Sequence, residues 1–397
     1  MIDPKDVIQA HTVEQLCETA DEYYRRVSDP TPLMSKPFTF LHETPEALHN
    51  LGLLLSGLRL GKTMRVLDFG AGTCWLGRFL TQLNCDVVCC DSSRTALEIG
   101  ERLFREYPLI GTVVYQPTFL PFDGHRIELP DESVDRIVCF DAFHHIPNTG
   151  EILAEFGRVL RPGGIAGFSE PGRHHSQSAQ SQYEMRNHRV LENDVDVDAI
   201  FAAARRVGFT DLTLKVALDM DMSLRDQDVL FAPPHGDAHE QLKATIWNNT
   251  HNTMANRAIF FLHKGPFVRD SRSHIGLAHR LDISPLDYVV KPGQPLRFDV
   301  KASNTGEATW LHTNTAIFGI VRLATHLYDG EGRLLNVDFS RHPLPATVAP
   351  GQTVQLTVDE QLPGPGRYRL GVDLVSEGVT WFENVGSSPV YISVTVG

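Results

Sequence analysis

The stretch Val66–Leu76, with the sequence VLDFGAGTCWL, decides the fold. A strand-like run, VLDF, is followed by two glycines one residue apart, and a helix-like run begins near Trp75. Gly70 and Gly72 allow a tight backbone turn that can approach a ligand closely, and amides at the start of the next helix then point at that ligand. The stretch therefore predicts a strand, a glycine turn and a helix that together hold a nucleotide-like ligand.

Strands and helices alternate on the C-terminal side of this stretch. Such alternation predicts a Rossmann-like α/β fold, with a mostly parallel seven-stranded sheet and helices on both faces. We predict strands at 65–69, 86–90, 112–116, 135–140, 164–169, 211–218 and 257–263. We predict helices at 73–83, 94–105, 150–160, 196–207 and 238–249, and a helical N-terminal segment over 1–60 that could cover a site.

The last third of the chain has a different pattern of turn residues and apolar residues. Turn signals recur there, in KPGQP, DGEG, APGQT and PGPG, and short strands of alternating apolar residues run between them. This pattern predicts an all-β antiparallel sandwich, and the absence of cysteine from this part excludes an immunoglobulin-type disulfide. We therefore predict three parts: a helical cap or lid at 1–60, the α/β domain at 61–265 and the sandwich at 275–397.

Composition excludes several classes of protein. The 397 residues are 42% hydrophobic, which is ample for packed cores, and the formal net charge of -13 opposes binding to nucleic acid or to an anionic membrane surface. No run of about 18 apolar residues predicts an integral membrane segment, and the first residues do not resemble a signal peptide. All six cysteines lie in the first part of the chain, and no CxxC pair or His/Cys cluster suggests zinc. We expect a cytoplasmic protein without a metal, and no feature of the sequence predicts an oligomeric state.

Three residues around the glycine turn narrow the choice of ligand. A dinucleotide fingerprint needs a third glycine where this chain has Trp75, so a pyrophosphate ligand is disfavoured. Asp91 ends the next predicted strand, where a carboxylate can accept both hydroxyls of a ribose. Asp68 stands beside the glycines and suits an ammonium group better than a phosphate. Together these residues, with the adjoining Ser92, predict S-adenosylmethionine as the cofactor.

At this point the chain resembles the class I S-adenosylmethionine-dependent methyltransferases over residues 60–265. The family's first motif is matched by DFGAGTC, with Cys74 where a third glycine is common, and its acidic second-strand motif by Asp91. The segments FDGHRIELPDESVDRIVCFDAFHHI and LRPGG resemble the motifs that follow. The resemblance implies that Asp123 and Gly124 lie near the adenine and that the loop from Asp141 to His145 lines the site.

A narrower resemblance concerns the stretch SEPGRHHSQSAQSQYEMRNHRVLENDVDVDAI. It is similar to a segment of methyltransferases from bacterial glycan-assembly regions, and the likeness implies site roles for Glu170, His175, Ser176 and Gln182. The C-terminal part is loosely similar to immunoglobulin-like sandwich modules attached to glycan-assembly proteins. That likeness suggests a glycan-binding or docking module.

A hydroxyl acceptor requires a base to take its proton, and histidine suits that role near neutral pH. His145 is the first candidate and His175 the second, because both follow strands at the carboxyl edge of the sheet, where open α/β sheets bind ligands. His144 shares that edge, and Tyr24 or Arg26 of the N-terminal segment could contact the acceptor. The structural alternatives are a histidine bonded to backbone, a turn cap for Glu170, and packing roles for Trp75, Trp310 and Trp381.

The sequence thus predicts a methyltransferase, with a sugar hydroxyl of a glycan, glycolipid precursor or nucleotide sugar as the hypothetical acceptor. O-, N- and C-methylation stay open. The alternative is a non-catalytic glycan-binding or scaffold protein with a degenerate methyltransferase domain, which Cys74 alone supports. A nicotinamide-dependent oxidoreductase is disfavoured by Trp75 and by the lack of a recognisable hydride-handling site.

Overall fold

The computed structural model describes residues 1–111, 113–314 and 316–397. The chain divides into two compact units: the first comprises Met1–Leu60 and Met64–Phe267, and the second comprises Gly61–Thr63 and Val268–Gly397. The short segment Gly61–Thr63 groups with the second unit because its polar groups bond there. The Lys62 amide donates to the Arg272 carbonyl at 3.0 Å, and the Lys62 ammonium donates to the Gly378 carbonyl at 2.7 Å.

The first unit is built on a seven-stranded sheet with the order β3-β2-β1-β4-β5-β7-β6. Neighbours from β3 to β5 are parallel, whereas β7 runs antiparallel to both β5 and β6. The predicted Rossmann-like methyltransferase fold is therefore confirmed. The strands are β1 (Arg65–Phe69), β2 (Asp86–Asp91), β3 (Thr118–Pro121), β4 (Val134–Phe140), β5 (Leu160–Pro171), β6 (Asp211–Leu214) and β7 (Arg257–His263).

Helices cover both faces of this sheet because each buries an apolar stripe. One core joins apolar residues of α4, α5 and α6 to one face, and a second core joins α7 and α9 to the other. Successive residues of β1 point to opposite faces, so that Val66 enters the first core and Leu67 the second. The helices are α1 (Pro4–Ala10), α2 (Val13–Arg25), α3 (Thr31–Met34), α4 (Thr44–Leu58), α5 (Trp75–Gln82), α6 (Arg94–Glu106), α7 (Thr149–Val159), α8 (Ala179–Asn187), α9 (Val197–Arg205), α10 (Leu224–Phe231) and α11 (Asp237–Asn256).

Several predicted boundaries were wrong. The third strand was predicted at 112–116, but residues 113–116 are not a strand and residue 112 lies outside the described residues. The β3 strand lies further along the chain because Thr118–Pro121 pairs in parallel with the end of β2. The turn-like LRPGG belongs to the first part of β5, which pairs with β4 across a register shift. The β6 strand ends at Leu214, earlier than predicted, and α11 continues to Asn256.

The second unit consists of short, mostly antiparallel strands. Two sheets, ordered β10-β18-β16-β13-β14 and β15-β11-β9, contribute to one apolar core, and β12 pairs with β8. Trp310 is buried in this core, whereas Trp381 is only partly buried beside Arg341 and His326. The strands are β8 (Arg269–Asp270), β9 (His279–Ile283), β10 (Asp287–Val290), β11 (Leu296–Asn304), β12 (Ala308–Thr309), β13 (Val321–Asp329), β14 (Leu334–Pro343), β15 (Thr353–Glu360), β16 (Gly366–Ser376), β17 (Thr380–Trp381) and β18 (Val390–Val396).

A helix must be both long and apolar to cross a bilayer. None of the helices within 1–111, 113–314 and 316–397 is long and apolar enough to cross a membrane.

Candidate active site

The first unit contains a cavity of about 660 Å³ at the carboxyl ends of its parallel strands. That volume lies within the range of small-molecule sites, and this edge is where open α/β sheets bind ligands. The lining residues at these strand ends are Phe69 at the end of β1 with Gly70 after it, Asp91 at the end of β2, Asp141 after β4 and Pro171 at the end of β5. Residues at the ends of four strands therefore line one cavity.

The glycine turn lies beside this cavity, which Gly70 lines and Gly72 does not. Gly70 and Gly72 have φ angles of +69° and +52°, a region that favours glycine. A side chain at Gly70 would also collide, because its Cβ would lie 2.3 Å from the Cβ of Ala142. The Asp91 carboxylate accepts hydrogen bonds from the amides of Gly72 at 2.7 Å and Ser93 at 2.8 Å, and burial raises the pKa of Asp91. This cradle and its adjoining carboxylate fit a ligand with a ribose.

Cys74 departs from the common third glycine without disrupting the turn. It precedes α5 with a φ of +60°, the left-handed backbone that explains why glycine is common at this position. Its side chain is accommodated by Gly100 of α6, since a Cβ on Gly100 would lie 2.5 Å from the Cys74 sulfur. The departure is thus matched by a glycine on the neighbouring helix.

Asp68, predicted to meet an ammonium group, does not line the cavity. Its side chain is buried against α5, where its Oδ2 lies 3.2 Å from the position that a Cβ on Gly77 would take. Burial raises the pKa of Asp68 to about 7, although a hydrogen bond from the Gly77 backbone acts in the opposite direction. The cause is geometric, since side chains alternate along β1 and that of Asp68 points toward the helix.

The N-terminal helix α2 closes part of the cavity. Tyr24 lines it, and the Tyr24 hydroxyl lies 3.0 Å from the position that a Cβ on Gly72 would take. The Asp21 carboxylate joins α2 to the start of α6, accepting from the Ser93 hydroxyl at 2.8 Å and the Thr95 amide at 2.9 Å. Arg26 lies outside the cavity and pairs with Glu22 on the same helix.

Glu170 is a structural residue behind the cavity wall, which favours the turn-cap alternative over acceptor binding. It is fully buried at the end of β5 and does not line the cavity. Its carboxylate accepts from the amides of Ala142 at 3.1 Å and Phe143 at 2.9 Å, and it pairs with the His144 Nδ1 at 2.7 Å. Glu170 therefore fixes the short 3₁₀-helix Phe143–His145 that carries two histidines.

Three histidines surround one carboxylate, that of Glu192. The Glu192 Oε2 lies 2.6 Å from the His175 Nε2 and 3.6 Å from the His144 Nε2, and the Glu192 Oε1 lies 3.8 Å from the His145 Nδ1. All four residues line the cavity, and the Glu192 side chain is only 7% exposed. Burial alone would raise the pKa of Glu192, but the hydrogen bond with His175 and the charges of the other histidines lower it.

The two adjacent histidines differ in their surroundings. Burial lowers the pKa of His144, but the hydrogen bond and charge of Glu170 outweigh it and raise that pKa overall. Enclosure by protein, followed by the charge of His144, lowers the pKa of His145 to about 4. The His145 Nδ1 donates to the Leu191 carbonyl at 2.6 Å, so the lone pair of this imidazole is on Nε2.

The remaining predicted residues separate into two groups. Ser92, Gly124 and Asp141 line the cavity. Asp123, Ser176 and Gln182 do not, because their polar groups bond elsewhere. The Asp123 carboxylate accepts from the amides of His125 and Arg126, the Ser176 amide donates to Asp194, and the Gln182 side chain bonds the Ile2 backbone.

Sequence reasoning missed several charged residues of the site, among them Glu192 and Arg257. Glu192 lies in a segment without regular structure, and Arg257 begins β7 and ion-pairs with Asp141. Both residues are distant in sequence from the strand ends that they face. Only the folded chain brings them to the cavity. Glu192 lies within the stretch that resembles other methyltransferases, but that likeness implied no role for it, and no motif indicated Arg257.

Comparison with known proteins agrees with this fold. Residues 67–168 match the family model described as "Methyltransferase domain". Residues 67–168 are thus matched to a methyltransferase domain, and the predicted cofactor, S-adenosylmethionine, is confirmed. The C-methyltransferase UbiE of ubiquinone/menaquinone biosynthesis from Pseudomonas paraeruginosa is 26% identical over 174 residues, covering 41% of this chain and 66% of that protein.

Two further proteins are similar to parts of this chain. The demethylmenaquinone methyltransferase of Parafrankia sp. is 30% identical over 142 residues, covering 32% of this chain and 56% of that protein. The structure of Haemonchus contortus phosphoethanolamine N-methyltransferase 2 in complex with S-adenosyl-L-methionine aligns with a TM-score of 0.39 and 18% identity, covering 67% of this chain and 60% of that one. The first curated relatives are matched over 29% to 67% of their own length.

Proposed function

We propose that this chain transfers a methyl group from S-adenosylmethionine to a hydroxyl group of a sugar, carried on a glycan, a glycolipid precursor or a nucleotide sugar. One observation carries the proposal: Gly70 of the glycine turn with Asp91, and the cluster of histidines around Glu192, line the same cavity. The first group fits the cofactor. The second group provides a base for the acceptor.

The polar lining of the acceptor side supports a hydroxyl-rich acceptor. Besides the histidines, this side carries an ammonium, a guanidinium, a carboxylate and two carboxamides, from Lys36, Arg257, Glu184, Gln180 and Asn256. Such groups donate to and accept from hydroxyls, whereas a purely apolar acceptor would leave them desolvated without partners. These polar groups support a hydroxyl-bearing acceptor, and apolar residues that also line the cavity, among them Leu33, Ile146 and Leu191, can contact its carbon skeleton.

The chemistry requires an in-line approach of the acceptor oxygen and a destination for its proton. S-adenosylmethionine supplies an electrophilic methyl group bound to a sulfonium sulfur. As the new C–O bond forms, the bond between this sulfur and the methyl carbon breaks, and the sulfur leaves as a neutral thioether. We assign proton removal to His175. Its Nε2 is held by the Glu192 carboxylate at 2.6 Å, and a carboxylate in that position orients an imidazole and stabilises the imidazolium that forms.

The sequence ranked His145 as the first candidate base, and we now rank it second, after His175. Its Nε2 carries a lone pair beside the cavity, but its Nδ1 bonds to a carbonyl and its pKa is lowered to about 4. A carbonyl orients the ring without neutralising a positive charge. His175, with a carboxylate partner, is the better placed of the two to hold a proton.

Labelled S-adenosylmethionine and an acceptor panel test the proposal. The panel contains nucleotide sugars, oligosaccharides, a quinol of the type that the relatives' names indicate, and a protein extract. We expect methylated sugar and, for His175→Gln, a turnover that is about 10²–10⁴-fold lower with unchanged cofactor affinity. The exposed neighbour variant His174→Gln, which does not line the cavity, should behave as wild type. Methylation of the quinol or protein alone would overturn the sugar assignment, and full activity of His175→Gln would overturn the assignment of the base.

A further inference from the structure

We propose that His144, His145 and Glu192 form a binding site for a divalent transition metal in the wall of the cavity. One ring nitrogen of each histidine and one carboxylate oxygen lie within 4.8 Å of one another. Two imidazoles and one carboxylate are a common protein donor set for catalytic zinc and for non-haem iron, and they leave coordination positions open. The binding of the metal stands apart from the acceptor's identity, whereas its catalytic role rests on the proposed function.

The hydrogen bonds behind the two histidines support this assignment independently. The His144 Nδ1 lies 2.7 Å from a Glu170 oxygen, and the His145 Nδ1 lies 2.6 Å from the Leu191 carbonyl oxygen. Both oxygens are acceptors, so each Nδ1 carries the proton and each Nε2 keeps its lone pair. Histidines that ligate metals have this arrangement, in which a carboxylate or carbonyl behind the ring fixes the tautomer and the ring orientation.

Hydrogen bonds hold the segment that carries the two histidines, and two of the three ligands are largely removed from water. Glu170 is anchored by the amides of Ala142 and Phe143, and the side chains of His144 and Glu192 are almost completely buried. The donor atoms are close to the required geometry. Ligands at about 2.0–2.2 Å from a tetrahedral metal lie roughly 3.3 Å apart, so the widest pair must close by about 1.5 Å, within the reach of side-chain rotation.

The open positions of such a metal would face the acceptor. All three ligands line the cavity, and the metal would bind the acceptor oxygen as a Lewis acid and lower the pKa of its hydroxyl. The proton released would pass to His175, whose contact with Glu192 uses a carboxylate that can bridge both groups. Glu192 would then serve the metal and the base together.

Binding of Co²⁺ by the full-length protein tests the site without reference to activity. The protein is stripped with a chelator and titrated with Co²⁺, followed by visible absorption, and with Zn²⁺ in competition. We expect one ion per chain, with binding lost in Glu192→Gln and in His145→Gln. His145 is 38% exposed, so its variant should fold even if the buried Glu192 variant does not. Glu170→Gln should weaken binding at least about 10–100-fold, since it alters both the group behind His144 and the anchor of the 3₁₀-helix that carries the two histidines.

The matched control is His174→Gln, which removes an exposed histidine from the adjacent loop and should leave Co²⁺ binding unchanged. Absence of stoichiometric Co²⁺ binding in the wild type, or binding that survives both ligand variants, would overturn the proposal. Metal binding without sugar methylation would uphold the site and overturn only the proposed function. Equal sugar methylation by metal-free and metal-loaded protein would uphold the proposed function and overturn the metal's catalytic role.

Discussion

At the scale of single residues, Asp91 combines a structural and a binding role. Its carboxylate accepts from the amides of Gly72 and Ser93, and it lines the cavity at the tip of β2. Burial raises its pKa, which means that the fold holds this carboxylate in a place where its charge is disfavoured. A bound ribose, whose two hydroxyls donate hydrogen bonds, would stabilise that charge.

Asp91→Asn should therefore weaken cofactor binding, and it should also destabilise the glycine turn, because its amide nitrogen would face a backbone N–H that donates to a carboxylate oxygen in the wild type. The amide keeps one acceptor oxygen but loses the charge, and a hydrogen bond to a charged group contributes about 1.5–3 kcal/mol. We expect S-adenosylmethionine and S-adenosylhomocysteine to bind about 10–150-fold more weakly by calorimetry. The control is Asp123→Asn, since Asp123 caps a loop outside the cavity. Equal affinities of the Asp91→Asn variant and the wild type would contradict a ribose contact.

At the scale of secondary structure, prediction succeeded where the signal was local. The β7 strand has the predicted bounds 257–263, and β1 and β2 were placed within one residue, because compact apolar runs end there in a turn or a capping residue. The β3 strand was missed because an apolar run at 113–115 imitates a strand, whereas the sheet pairs β2 with Thr118–Pro121 instead. The position of β3 depends on pairing between segments that are distant in sequence, and the periodicity of apolar residues does not predict such pairing.

The contact between α5 and α6 gives a prediction at the same scale. Gly100→Ala would place a Cβ 2.5 Å from the sulfur of Cys74, and overpacking of this kind costs about 1–3 kcal/mol. Combining it with Cys74→Gly, which removes the sulfur and relieves the left-handed backbone, should recover most of that loss in urea unfolding. Gly52→Ala is the control, because its Cβ would meet nothing within 4 Å and should cost nothing. Strictly additive effects of the two substitutions would refute the contact.

At the scale of the whole molecule, the first compact unit ends at Phe267, and the strands after it are mostly antiparallel. The grouping of Gly61–Thr63 with the second unit was not predictable, because it depends on hydrogen bonds to residues more than two hundred positions away. For the candidate site too, some residues could be predicted from the sequence and others could not. The glycine turn and Asp91 follow from a local motif, whereas Glu192 reaches the cavity only through the course of the folded chain.

The core that contains Trp310 and the cavity belong to different units of the chain. Trp310 is 0% exposed in the core of the second unit, whereas the whole cavity is lined by residues of the first unit. Trp310→Ala should lower the free energy of unfolding of the second unit by about 3–5 kcal/mol in urea, yet leave cofactor affinity in calorimetry unchanged. Trp247→Ala, which removes a tryptophan that is 65% exposed, should alter stability by less than about 0.5 kcal/mol. A parallel loss of cofactor affinity in Trp310→Ala would contradict this prediction, because the cofactor site would then depend on the second unit's core.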